Sequence, residues 1–135
     1  MAATTTSPAP RVLLVMPDQW PRALLRAELR ERGYDALGAP GLPAALAYPV
    51  AVTGRGPVGL VLVDQQALEP AGDQWLRSLL ERHGQPASVL LARTGESPPS
   101  GPWSRVVRRP VSIATLADTV AELLPRPPER RPPID

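Results

Sequence analysis

Three short aliphatic runs, Val12-Leu13-Leu14-Val15, Leu60-Val61-Leu62-Val63 and Val89-Leu90-Leu91-Ala92, contain no polar position. A strand with one solvated face alternates apolar and polar side chains, so a run that is apolar throughout must be buried on both faces. Strands of that kind belong in a parallel sheet with helices packed on either side. The segments between the runs carry helical periodicity, and the order strand, helix, strand, helix implies an α/β domain.

The chain divides accordingly. Arg11–Met16 reads as a central strand, broken by Pro17-Asp18. Asp18 suits the N-cap of a helix from Gln19 to about Arg32, with Pro21 tolerated in its first turn. Trp20, Leu24, Leu25 and Leu29 form its expected apolar stripe; Arg22, Arg26 and Arg30 line another face, and Gly33 ends it. Tyr34–Ala39 is a second strand, Pro43–Tyr48 a short helix cut by Pro49, and 50–57 a Gly/Pro loop. Val58–Asp64 is the third strand. Asp73 is expected to cap a helix running through His83, with Leu76, Leu79 and Leu80 inward and Gly84 as its stop. Ser88–Ala92 and Arg105–Arg108 are the fourth and fifth strands. The segment 93–104 between them holds Gly, Ser and three prolines, a composition that disfavours a helix. Ser112 caps a last helix with Ile113, Leu116, Val120, Leu123 and Leu124 at helical spacing. Right-handed crossovers leave few topologies for five parallel strands. The simplest is the flavodoxin-like, doubly wound sheet of order 2-1-3-4-5, here with its fourth helix shortened or replaced by a loop.

At 135 residues the chain is read as one domain over 11–124, with a disordered tail at 1–10 and a Pro/Arg-rich disordered tail at 125–135. Fifteen arginines and no lysine stand against thirteen acids, a net charge of +2 spread over several segments, so no nucleic-acid partner is expected. There is no cysteine, hence no disulfide and no thiolate metal site. No apolar stretch is long enough for a bilayer, and the first ten residues lack the basic start and apolar core of a signal peptide, so a cytoplasmic protein without membrane contact is expected. His83 is the only histidine and sits near a helix C-terminus, where positive charge is favoured; metal or triad chemistry through it is not expected. With no Gly-rich phosphate loop, nucleophile elbow or metal cluster, no enzymatic activity is expected.

Open α/β sheets place their sites at the carboxyl ends of the strands. In this order Met16-Pro17-Asp18, Asp64-Gln65-Gln66, Ala92 and Arg109-Pro110 converge on one rim. Asp64 reads in two ways, as a strand-ending carboxylate paired with Arg109 or as a phosphoacceptor. Asp18 reads as an N-cap paired with Arg22 or as a residual acid of the pocket.

These segments together resemble the CheY-like receiver domain of two-component response regulators, over roughly 11–124. The resemblance rests on Val12-Leu13-Leu14-Val15 followed by a helix ending Glu31-Arg32-Gly33-Tyr34, and on Leu60-Val61-Leu62-Val63-Asp64 at the phosphoacceptor strand. Gly72 before an amphipathic helix, Val89-Leu90-Leu91-Ala92, and Val106-Val107-Arg108-Arg109-Pro110 with Ser112 and a final helix complete it. It implies a phosphoacceptor at Asp64, an acid pair binding Mg²⁺ after the first strand, a switch hydroxyl after the fourth, and a switch aromatic and a lysine around the fifth. The chain departs at each supporting position. Met16 and Pro17 stand at the acid pair, Ala92 at the hydroxyl, with Thr94 two residues on, and Val106 at the aromatic, with Trp103 nearby. Arg109 stands at the lysine, as an anion- or phosphate-pairing candidate, and the Arg109-Pro110 bond is expected to be cis. The resemblance therefore implies a stand-alone degenerate receiver that acts by contact with a protein partner, or by forming a homodimer, with no metal and no cofactor. The alternative is an active atypical receiver, phosphorylated on Asp64 by a histidine kinase, using Asp64 with Asp18 and Arg109 and with Mg²⁺ as its cofactor.

Overall fold

The computed structural model describes residues 8–69, 72–95 and 97–125. The tail expectations for 1–7 and 126–135 lie outside the described residues.

Five parallel strands form one sheet: β1 (Arg11–Val15), β2 (Asp35–Ala39), β3 (Val58–Asp64), β4 (Ala87–Ala92) and β5 (Arg105–Arg108), in the order β2-β1-β3-β4-β5. Central β1 pairs with β2 and β3, and β3 with β4, and the all-aliphatic runs of these strands contribute to a core layer on each face of the sheet. Every residue of β1 is buried. Alternation divides the core into two layers. Val12, Leu14, Leu60, Leu62, Val89 and Leu91 face one side, and Leu13, Val15, Val61, Val63 and Leu90 the other.

Helices α1 (Gln19–Glu31) and α4 (Ile113–Leu123) cover the first side. Helices α2 (Leu42–Leu46) and α3 (Gly72–Arg82) cover the second, and a single 3-10 turn, Gln65–Leu68, follows β3. Between β4 and β5 the described residues contain no helix. The loop there is folded onto the sheet by Trp103, which packs against the second core layer and donates from Nε1 to the Pro99 carbonyl at 3.2 Å.

Three local expectations are corrected. On α1 only Leu25 and Leu29 are buried; Trp20 and Leu24 are 77 % and 55 % exposed. Asp18 occupies the N-cap position but its side chain makes no capping bond. Helix α3 already includes Gly72, which puts Asp73 in the first turn, where its charge suits the helix dipole. Ser112 caps as expected, accepting from the Thr115 N–H at 3.0 Å.

The amino-terminal end of the sheet holds an unanticipated buried pair of bases. Arg11 is 1 % exposed and donates to the carbonyls of Gly56 and Val50. His83 is 8 % exposed and neither ring nitrogen has a hydrogen-bond partner. Burial first, then the charges of Arg11 and Arg82, hold its pKa below the ordinary 6.5, so the imidazole is not the favoured cation its helix end suggested. The unfolded chain then takes up a proton that the folded chain resists. The stability that His83 contributes as a neutral group is complete above the ordinary value and is lost as pH falls through the depressed one. The thermal midpoint is expected to drop between about pH 7 and pH 5, with a shallower drop in His83→Leu. Identical slopes for the two proteins would refute the assignment.

Candidate functional site

Strand β3 is paired on both sides, and its last residue, Asp64, lies level with Leu91 of β4. That enclosure leaves Asp64 0 % exposed. A carboxylate at such depth needs opposite charge and hydrogen bonds. Arg109, just beyond β5, supplies both as a fork: Nη2 donates to Oδ2 at 2.7 Å and Nη1 to Oδ1 at 3.2 Å. The Gln66 N–H donates to Oδ1 at 3.0 Å, so Asp64 also caps the 3-10 turn. The guanidinium end of the pair remains wet, with 31 % of the Arg109 side chain exposed. The hydrogen bond to Asp64 raises the Arg109 pKa against the effect of burial; the charges of Asp64 and Asp18 add to the rise and that of Arg93 opposes it.

Backbone contacts position Arg109. Its N–H donates to the Ala92 carbonyl at 3.1 Å, its own carbonyl accepts from the Thr94 hydroxyl at 3.2 Å, and its bond to Pro110 is cis. Fully buried Ala92 therefore contributes a carbonyl to the rim and no hydroxyl. Val106 is 37 % exposed, while its neighbour Val107 packs into the core.

The segment after β1 is held differently from expectation. Met16 is buried, and its N–H donates to the Ala39 carbonyl at 3.0 Å. The carbonyls of Met16 and Pro17 accept from Arg22 Nη1 at 2.6 and 3.4 Å. Arg22 thus clamps the loop through its backbone and forms no ion pair with Asp18, which is exposed. Its stem lies along β2 at Gly38, where an added Cβ would stand 3.1 Å from Arg22 Cγ and Cδ. Asp18 is near enough for its charge to act on Arg109, but it is absent from the hydrogen bonds that fix Asp64.

Two rim contacts escaped the sequence. Gln65, 8 % exposed, accepts the Arg93 N–H on Oε1 at 2.8 Å. Arg93 also forks onto Glu69 at 2.6 and 2.9 Å, a hydrogen bond that lowers the Glu69 pKa. Together they tie the end of β4 to the 3-10 turn after Asp64. The only hint in the chain was a Gln-Gln pair directly after a strand-ending acid.

The donor inventory of this rim is short. Both Asp64 oxygens already accept from Arg109, Met16 and Pro17 carry no oxygen in their side chains, and Asp18 alone adds a carboxylate. Among the described residues no group of three or more His, Cys, Asp or Glu is placed to share a metal ion.

Comparison with solved structures matches the architecture closely. The chain is 18 % identical to the chemotaxis protein CheY4 of Vibrio cholerae, with a TM-score of 0.69 over 86 % of this chain and 99 % of that one. A response regulator receiver protein from Pseudomonas putida is 21 % identical, with a TM-score of 0.64 over 87 % of this chain and 99 % of that one. The fold is that of the response regulator receiver domains. The receiver fold also matches a structure described as an adenylate cyclase from Rhodopirellula baltica, at 17 % identity and a TM-score of 0.68 over 84 % of this chain and 86 % of that one. Shared architecture therefore leaves function to the site. No protein-family model and no curated protein matches the sequence. Among the described residues no helix is long and apolar enough to cross a membrane.

Proposed function

We propose that this receiver-fold chain is a signalling module that works by binding a protein partner, without Mg²⁺-dependent phosphorylation of Asp64. The reading rests on one arrangement: a fully buried Asp64 with both oxygens taken by Arg109, beside a loop that offers Met16 and Pro17 in place of acids. Phosphoryl transfer to a carboxylate is chiefly positioning and charge compensation. A hard cation needs a shell of oxygen donors, and this rim does not fit one. The Arg109 fork offsets the Asp64 charge and favours one conformation, so an incoming phosphoryl group would first have to displace the guanidinium from the oxygens it holds. Signalling then depends on which partner is present. The proposal takes the protein to act in the cytoplasm without nucleic acid, with self-association as one form of such contact.

Incubation with acetyl phosphate and Mg²⁺ is expected to give no aspartyl phosphate by intact mass. Rapid stoichiometric phosphorylation that disappears in Asp64→Asn would overturn the reading and establish the active-receiver alternative.

A further inference from the structure

Arg22, Arg26 and Arg30 recur every four residues along α1, and the rim uses only the first of them. Arg22 and Arg26 open into a cavity of about 290 Å³ beside the edge strand β2. Leu37 and Gly38 of β2, Tyr48 beyond α2, and Gln19 at the start of α1 complete its walls, and no acid lines it. Each guanidinium is oriented by backbone: Arg22 by the Met16 carbonyl at 2.6 Å and Arg26, through Nε, by the Ala36 carbonyl at 3.1 Å. Neither has a carboxylate partner among the described residues. An arginine carries five N–H donors, so most of those on both side chains remain for a ligand.

The cavity is also shaped for its arginines. Gly38 lacks the Cβ that would crowd the Arg22 stem at 3.1 Å. The Tyr48 hydroxyl donates to the Gly38 carbonyl at 2.6 Å, which fixes the phenol ring as a wall. Two cations that carbonyls pre-orient and no acid neutralises lose little entropy on meeting an anion. A carboxylate is satisfied by one guanidinium fork, whereas a dianion with three terminal oxygens uses two.

We propose that this cavity binds a phosphate monoester, separately from the Asp64–Arg109 pair. Its size, near the lower limit of about 300 Å³ for ligand pockets, suits the phosphate and a few carbon atoms beyond it. The Tyr48 ring supplies the apolar wall for those carbons, at the edge of β2 beside Leu37.

Titration of the full ¹⁵N-labelled chain with inorganic phosphate, glycerol 3-phosphate and phosphoserine tests this. Saturable amide shifts are expected at Ala23, Leu37 and Gly38. Arg26→Gln is expected to weaken binding about tenfold, the loss of one charge-assisted contact. Gly38→Ala, which keeps both charges but displaces Arg22, is expected to weaken it as well, with retained cooperative unfolding confirming the fold. Arg105→Gln, the same charge change on an exposed residue elsewhere, is expected to leave the affinity unchanged. A phosphoserine peptide that binds more tightly than free phosphoserine identifies a phosphorylated protein as the source; equal affinities identify a small metabolite, and both results support the site. Shifts that do not saturate, acetate binding as tightly as phosphate, or wild-type affinity in both Arg26→Gln and Gly38→Ala would overturn the proposal.

Discussion

Replacing Arg109 with alanine is expected to destabilise the fold by about 2–4 kcal/mol, somewhat below the loss for breaking a fully buried ion pair because water reaches the guanidinium. The loss comes mainly from the partner left behind. Asp64 is 0 % exposed and would keep only the Gln66 N–H. The reverse change is expected to cost less. Asp64→Asn retains an oxygen for the Gln66 N–H, and the freed guanidinium turns its 31 % exposed side chain further into water, so about 1–2 kcal/mol is expected. The double variant Asp64→Asn, Arg109→Ala is expected to recover part of the Arg109→Ala loss, since no buried charge then lacks a partner. Urea denaturation of the four proteins measures this cycle. Equal losses from the two single changes would show that the pair is not a buried carboxylate held by a wetter guanidinium.

The same asymmetry explains how much of the rim could be read in advance. Asp64 and Arg109 lie at strand ends, and the alternation of strands and helices brings the carboxyl ends of parallel strands to one edge of the sheet. The three all-aliphatic runs likewise dictated burial on both faces, and five parallel strands left few ways to connect. Side chains that act on backbone carbonyls left no trace of this kind. Arg22 reads as one of three surface arginines, yet its position is set by Gly38 on a strand 16 residues away in sequence and by the direction in which two carbonyls point. Gln65 and Arg93 sit in connections without periodicity. His83 looked like a cation at a helix end because the local dipole was visible in sequence, whereas the buried Arg11 beside it was not.

Helix α1 gives the sharpest contrast between identical residue types. Leu25→Ala is expected to cost about 2–5 kcal/mol, the usual loss for emptying a buried leucine site, and Leu24→Ala to stay within about 0.5 kcal/mol. Leu25 is 0 % exposed and belongs to the core layer with Leu29, Tyr34 and Leu116; Leu24 is 55 % exposed. The expected stripe of Trp20, Leu24, Leu25 and Leu29 was too wide for one face. Trp20 and Leu29 are nine residues apart, and at about 100° per residue they stand on opposite sides of the helix. Only one half of the stripe can face the sheet. The half that does is set by tertiary context: Leu25 and Leu29 pack into the core layer with Tyr34 of the loop before β2 and Leu116 of α4. The Arg32–Asp118 bond at 2.7 Å and the Arg26 bond to the Ala36 carbonyl at 3.1 Å accompany that rotation, which leaves Trp20 and Leu24 to solvent. Thermal unfolding of the two leucine variants decides the matter, and a comparable loss at Leu24 would mean that α1 is rotated from this orientation.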